Sequence, residues 1–331
     1  ALIVSLNIYQ TNQNDQLVSA SSSRMLTTSV ENLLQSKAAE QAVQLQKAFG
    51  ESRLVVTALA EQVEDLSNMA AEPLLEAGAV REELNQRIKT AFERNTKVLG
   101  IWLSFEPNGL DGRDSEFVDD KLRASNEVGR FSSYWSRAGG EGLNTVMVEA
   151  DLTKTTLNLS GTPYNIWYTC PRDTRNVCLL DPYADEVAGK AMLMTTISLP
   201  LLADGKVIGV IGVDIALDAL QAAANTAQKE LFDGAGVMEV LSSSGLIASY
   251  SGEPVKVGKS IVDVLGGEGK EIVQLLASDT RKVREQDDTI RAVYPVKPIA
   301  EAKPWGVVIK LPKDVLLADS VKLQGVLADA Q

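Results

Sequence analysis

One aspartate stands out because of the residues that precede it. Asp214 follows the apolar run 207–213, and a carboxylate buried in such surroundings costs free energy unless a cationic group pairs with it. The position therefore favours a site that binds a positively charged group. The alternative is structural, because Asp214 could cap the helix that begins near Leu217.

Two pairs of adjacent aromatic residues, Tyr134–Trp135 and Trp167–Tyr168, could complete such a site. An ammonium group forms charge-assisted hydrogen bonds with carboxylates and also gains from aromatic faces. Both pairs are predicted on β-strands, where adjacent side chains face opposite sides, so one ring of Tyr134 and Trp135 should face the module interior. The alternative for Trp167 and Tyr168 is core packing with a polar tip in water.

The chain has two cysteines, Cys170 and Cys178, in a segment rich in turn-forming residues. A nearby pair in an otherwise cysteine-free chain favours a disulfide formed in an oxidising compartment, and two unpaired thiols are the alternative. Metal binding by two cysteines without any histidine is the weakest option. We therefore expect no metal site and no cofactor.

Composition excludes several function classes. The chain of 331 residues carries 32 basic and 44 acidic residues, a net charge of -12 that disfavours nucleic acid as a partner. It contains no histidine, which excludes histidine-based triads and most zinc hydrolase schemes. A carboxylate-based hydrolase is the enzyme alternative, but no motif supports it, and we predict that the chain is not an enzyme.

The first quarter of the chain predicts one very long amphipathic helix. Between residues 15 and 71 there is no proline and only Gly50, and apolar residues recur at three- and four-residue steps. Helices of this length bridge domains or associate with a copy of themselves. The apolar stub 1–9 is too short to span a bilayer; it is interpreted as the trimmed end of a transmembrane segment or as an ordinary terminus.

The remainder predicts two sheet-based modules separated by turn signals. The first has a helix at 80–97, a connecting helix at 217–231, and strands at 98–105, 129–137, 145–150, 167–169, 191–200 and 206–215. The second has a helix at 262–277 and strands at 237–241, 246–250, 282–285, 289–296 and 305–311. The expected organisation is a long helix with its flanking segment (1–79), a first module (80–226), a second module (227–311) and a C-terminal helix (312–331).

Four segments resemble the double Cache sensors, a family of extracytoplasmic receptor regions: residues 129–137, Trp167–Tyr168, 181–185 and 205–215. Their order and spacing are also similar, and the resemblance covers nearly the whole chain. It implies an α+β fold in which a long N-terminal helix carries two PAS-like antiparallel-sheet modules. One module would be membrane-distal and hold the ligand, and the other would be membrane-proximal.

The resemblance also implies a ligand site in the distal module. The family's amino-acid receptors hold the ligand's ammonium with a tyrosine and two aspartates, and its carboxylate with an arginine. The matching positions here are Trp167, Tyr168, Tyr183, Asp185 and Asp214, with Asn165 in place of the arginine. We add Tyr134 and Trp135 as further contacts. Other arginines could replace the missing one: Arg137, Arg172 and Arg175.

These features predict a periplasmic sensor region of an inner-membrane methyl-accepting chemotaxis receptor that binds small cationic amines such as histamine, putrescine or other polyamines. The full receptor is expected to signal across the membrane as a weak homodimer associated through the long helix. Two alternatives stay open. The same fold could sense amino acids or another metabolite, or it could be the input domain of a sensor histidine kinase or cyclic-dinucleotide enzyme.

Overall fold

The computed structural model describes residues 2–70, 76–137, 140 and 142–315. The expected C-terminal helix therefore lies outside the described residues beyond residue 315. Helix α1 (Leu2–Ala70) starts earlier than predicted, and α2 (Ala77–Arg94) follows it. Within the described residues, no helix is both long and apolar enough to cross a bilayer.

Helix α1 packs against both halves of the molecule. Its buried side chains recur at helical spacing from Val30 to Leu66, which places them on one face. The ring of Phe49 meets the Trp305 ring edge-on at 5.3 Å between centroids. Arg53 pairs with Glu301 in the second half, and Glu64 accepts the backbone N–H of Leu202 in the first half. The long helix therefore bridges the two modules.

The first module is a seven-stranded antiparallel sheet. Its strands are β1 (Gly100–Phe105), β2 (Ser132–Ser136), β3 (Leu143–Val146), β4 (Cys178–Leu179), β5 (Tyr183–Val187), β6 (Lys190–Ala203) and β7 (Lys206–Ala216). Their order is β3-β2-β1-β7-β6-β4, with β5 also paired to β6. One face packs against α1 and α2. The other is covered by the short helices α3 (Glu149–Leu152) and α4 (Ile166–Thr174).

Two local sequence predictions in this module were wrong, and two strands were missed. Residues 167–169 lie in helix α4, because a three-residue aromatic run carries no periodicity to separate strand from helix. The predicted strand 145–150 ends at Val146, and α3 begins at Glu149. Strands β4 and β5 were not predicted, since the turn-forming residues around Asp181 and Pro182 concealed them.

The second module is a five-stranded antiparallel sheet of order β10-β11-β12-β8-β9. Helix α5 (Leu217–Glu230) connects the two modules, and α6 (Ile261–Leu265) and α7 (Gly267–Ala277) cover the face away from α1. The strands are β8 (Val237–Leu241), β9 (Ile247–Tyr250), β10 (Lys282–Gln286), β11 (Thr289–Val296) and β12 (Trp305–Pro312). The α+β prediction of a long helix with two antiparallel sheets is confirmed.

A buried arginine on α2 anchors the long connection between β1 and β2. The Arg81 guanidinium is fully buried and bonds Asp111 and Asp114 at 2.9 and 3.0 Å through Nη2. Its Nη1 donates to Ser125 Oγ and to the Gly129 carbonyl, each at 2.8 Å. Because β2 follows directly, this network fixes where that strand enters the sheet.

Arg81→Ala should lower the free energy of unfolding by about 3–5 kcal/mol, because it leaves two carboxylates without their buried partner. The matched control is Arg87→Ala on the same helix. Its exposed pair with Glu83 should contribute less than about 0.5 kcal/mol. Urea unfolding of both variants measures the difference, and equal losses would contradict an anchoring role for Arg81.

Candidate ligand-binding site in the first module

A cavity of about 450 Å³ lies on the sheet face that α3 and α4 cover. Five aromatic residues contribute to its wall: Trp102, Tyr134, Tyr164, Trp167 and Tyr183. Four acidic residues also line it: Asp151, Asp185, Glu186 and Asp214. Five of the predicted site residues are therefore together here, namely Tyr134, Trp167, Tyr183, Asp185 and Asp214.

Asp214 is a buried carboxylate that no described cation pairs with. Its Oδ1 accepts hydrogen bonds from Thr196 Oγ1 at 2.6 Å and from Trp102 Nε1 at 3.2 Å. Burial raises the pKa of Asp214 to about 6, although these hydrogen bonds oppose the shift. A cation entering the cavity would supply the missing countercharge.

Strand register explains how these partners reach Asp214. Thr196 on β6 lies directly opposite Asp214 on β7, and Trp102 on β1 lies opposite Gly212. A Cβ at residue 212 would come within 2.2 Å of the Trp102 ring, so only glycine leaves space for the indole to lie across β7. The ring's Nε1 can then reach the carboxylate two residues further along.

One hydrogen-bond donor of the cavity wall, the Trp167 Nε1, is buried and bonds no described residue. The Tyr134 hydroxyl lies beside the Asp214 carboxylate and lowers the pKa of that group. Burial raises the pKa of Tyr134, and the negative charge of Asp214 adds to the effect, so the phenol stays protonated. The Trp167 ring meets Trp102 edge-on at 4.8 Å between centroids. The wall thus offers aromatic surface together with an unused donor.

The second aspartate, Asp185, lies in the middle of β5. It accepts the Tyr164 hydroxyl at 2.7 Å and the Glu186 backbone N–H at 2.8 Å. Burial raises the pKa of its carboxyl group, and burial also raises the pKa of Asp151. Acidic groups with raised pKa values therefore lie on several sides of the cavity, a pattern common at functional sites.

Three predicted contact residues lie outside the cavity wall. Strand alternation on β2 turns Trp135 to the opposite face, where its Nε1 donates to Asn85 Oδ1 at 2.9 Å. Tyr168 donates to Glu106 and receives a 3.3 Å hydrogen bond from Arg130. Asn165 occupies the N-cap position of α4 and donates to the Leu152 carbonyl at 2.8 Å.

The wall residues that sequence reasoning missed include Trp102, Tyr164 and Lys154. Trp102 lies within an apolar strand and had the pattern of a core residue. Tyr164 and Lys154 come from the irregular segment between α3 and α4, where no periodicity indicates direction. Gly212, which lies opposite Trp102, indicates that the indole needs space there. That pairing is known only when the strand register is known.

No arginine in the described chain lines the cavity. Arg137 stacks on Phe92 at 4.0 Å and donates to its carbonyl at 2.6 Å. Arg172 pairs with Asp173, and Arg175 donates to the Gly205 carbonyl. Among described residues, the single basic side chain of the wall is Lys154. The guanidinium fork that suits a carboxylate is absent from this wall.

A disulfide joins Cys170 on α4 to Cys178 at the start of β4, with 6.3 Å between their Cα atoms. Cys170 lies one helical turn after Trp167. The bridge therefore ties the helix that carries Trp167 to the edge of the sheet.

Comparison with known proteins identifies the module that holds this cavity. Residues 84–222 match the family described as "Methyl-accepting chemotaxis protein-like, first PDC sensor domain". The matched residues make up most of the first module and less than half of the chain. The chain is 38% identical over 330 residues to the methyl-accepting chemotaxis protein TlpQ of Pseudomonas aeruginosa, which is 99% of this chain and 46% of that relative. The chain thus spans about half the length of the curated relative.

Solved structures are similar in fold to most of the chain. Methyl-accepting chemotaxis protein X has a TM-score of 0.68 at 24% identity, covering 86% of this chain and 98% of the other. The ligand-binding domain of the Pseudomonas aeruginosa receptor PctC, solved with GABA, has a TM-score of 0.52 at 19% identity, covering 85% and 99%. The expected double-module fold is confirmed.

Asp214→Asn should remove a pH dependence of stability. Because the folded-state pKa of Asp214 is raised from 3.8 to about 6, the folded protein binds this proton more tightly than the unfolded chain. Stability from this group is full below about pH 4 and is lost as pH rises through about 6. Relative to the variant, the wild-type free energy of unfolding should fall by about 1–3 kcal/mol over this range. Urea unfolding tests this, and a pH-independent difference would contradict it.

Proposed function

We propose that this chain is the periplasmic ligand-binding region of a membrane chemotaxis receptor, and that its PDC domain binds small cationic amines. Histamine, putrescine and other polyamines are the candidate ligands. The observation that carries the proposal is the cavity wall, which combines four acidic side chains and one lysine with five aromatic rings. Such a wall offers countercharge and cation–π contact to one ligand.

The charge balance of the wall supports a cation over a zwitterion. Counted at their formal charges, four carboxylates and one ammonium give -4 + 1 = -3. A ligand carboxylate would be repelled by this negative charge and would have only Lys154 as a partner. Because Lys154 is exposed, solvent would weaken that ion pair. The buried Asp214, by contrast, gains its missing countercharge when an ammonium binds.

The cavity size also fits such ligands. About 450 Å³ lies within the range of small-molecule sites, roughly 300–1,000 Å³. The unpartnered Trp167 Nε1 is a donor, so it suits a neutral acceptor nitrogen such as that of an imidazole ring. An alkyl diamine would instead use the aromatic faces for its methylene groups.

The proposed receptor is a dimer that associates through α1. Four large apolar side chains on this helix are exposed: Met25, Val43, Leu54 and Met69. Met25, Val43 and Leu54 are separated by 18 and 11 residues, which are close to whole numbers of helical turns, so these three lie along one side. Sedimentation over a concentration series measures the association, and a strict monomer would count against it.

We assign the second module to structural support and to signal relay.

Amino acids are the second candidate ligand class. PctC was solved with GABA and the Pseudomonas fluorescens receptor CtaA with L-serine, and Lys154 could receive a carboxylate here. Solved sensor regions with this fold also include the extracellular domain of a histidine kinase, so a kinase is the alternative output.

Calorimetry on matched ligand pairs separates the two classes. Histamine should bind at least about tenfold more tightly than histidine, and putrescine more tightly than ornithine, because each amino acid adds an unpaired carboxylate. Asp214→Asn should weaken putrescine binding about 30-fold or more. The control is Asp204→Asn, which removes the same charge from the turn between β6 and β7 and should bind like wild type.

Two results would reject the amine proposal. One is binding of histidine or ornithine as tight as that of the decarboxylated partner, which would favour amino-acid sensing. The other is wild-type affinity for putrescine in the Asp214→Asn protein.

A further inference from the structure

Lys154 lies at the mouth of the acidic cavity without an acidic partner. It follows α3, and its Nζ lies 4.2 Å from the centroid of the Tyr164 ring. Among the described residues it forms no ion pair, although Asp151, Asp185 and Glu186 line the same cavity. The Lys154 ammonium therefore lies on an aromatic face among carboxylates. A cationic group of a ligand would bind in the same position.

Lys154 also lies where the cavity meets a second, outer one. The outer cavity measures about 520 Å³ and shares Lys154, Tyr164, Asp185 and Glu186 with the inner one. Its other wall contains the exposed side chains of Leu157 and Leu159. The hydrogen bond from Tyr164 to Asp185 lies at the boundary. A ligand longer than the inner cavity would pass through the position of Lys154.

The ammonium of Lys154 acts on both neighbouring carboxylates. Its positive charge lowers the pKa of Asp151 and of Asp185, against the larger effect of burial. This is the electrostatic role that the second ammonium of a diamine would have. The flexible four-carbon stem allows the side chain to leave the site at little cost.

We propose that Lys154 is a built-in competitor for the second cationic group of the ligand and so determines how many charges a preferred ligand carries. The proposal rests on the function proposed above. A monoamine would pair with Asp214 and leave Lys154 in place. A diamine must displace the Lys154 ammonium from the Tyr164 ring. Its second ammonium then replaces an existing cation, so the diamine gains less binding free energy than it would in an unoccupied site.

The test compares Lys154→Gln with wild type, using putrescine as the diamine and n-butylamine as its single-charge counterpart. Removing the lysine should raise putrescine affinity about three- to tenfold, the size of a partly solvated charge contact. Affinity for n-butylamine, measured by competition against putrescine, should change less than about twofold. Lys154→Arg keeps the charge and should behave like wild type.

Lys206→Gln controls for the change in net charge, because Lys206 is exposed at the start of β7 and does not line either cavity. Unchanged or weaker putrescine binding in Lys154→Gln would overturn the proposal, as would an equal gain in Lys206→Gln. If wild type binds neither amine, the proposed function fails and this inference fails with it. If wild type binds putrescine and Lys154→Gln gains nothing, only the role of Lys154 is rejected.

Discussion

The first module is arranged around one carboxylate that is buried without a countercharge. Ionised Asp214 is expensive in this position, and the neighbouring strands reduce that cost only in part, through Thr196 and Trp102. Complete neutralisation requires a proton or a bound cation. The same constraint explains Gly212, since any side chain there would displace the indole that bonds Asp214.

The position of Asp214 in the chain connects the cavity to the second module. Strand β7 ends at Ala216 and α5 begins at the next residue. On α5, Gln221 donates to the Tyr250 carbonyl at 2.7 Å and accepts its backbone N–H at 2.8 Å. The strand that holds the countercharge therefore continues directly into the helix that binds the second sheet. Helix α1 also contacts both sheets, and its buried side chains share one core with those of α5.

Much of this architecture was predictable because its signals are local and periodic. The apolar spacing of α1 and the bounds of β8 and β11 follow from the sequence pattern. The cavity was predictable only in part. Asp214 was detectable as a carboxylate at the end of an apolar run, whereas Trp102 depends on strand register and Tyr164 on an irregular segment. Trp135 was included because adjacent strand residues could not be assigned to a face. Tyr168 was included because it matches a position of the family's motif, and it lies on a helix.

The central claim is that Asp214 is the countercharge of a cationic ligand, and proton exchange on binding tests it most directly. The amines of putrescine titrate far above neutral pH, so any proton change near pH 6 belongs to the protein. Calorimetry at about pH 6 in two buffers with different ionisation enthalpies should show roughly half a proton released per putrescine bound, because the ligand lowers the raised pKa of Asp214. Asp214→Asn should show no such release. Binding to wild type without proton release, or with proton uptake, would contradict the account.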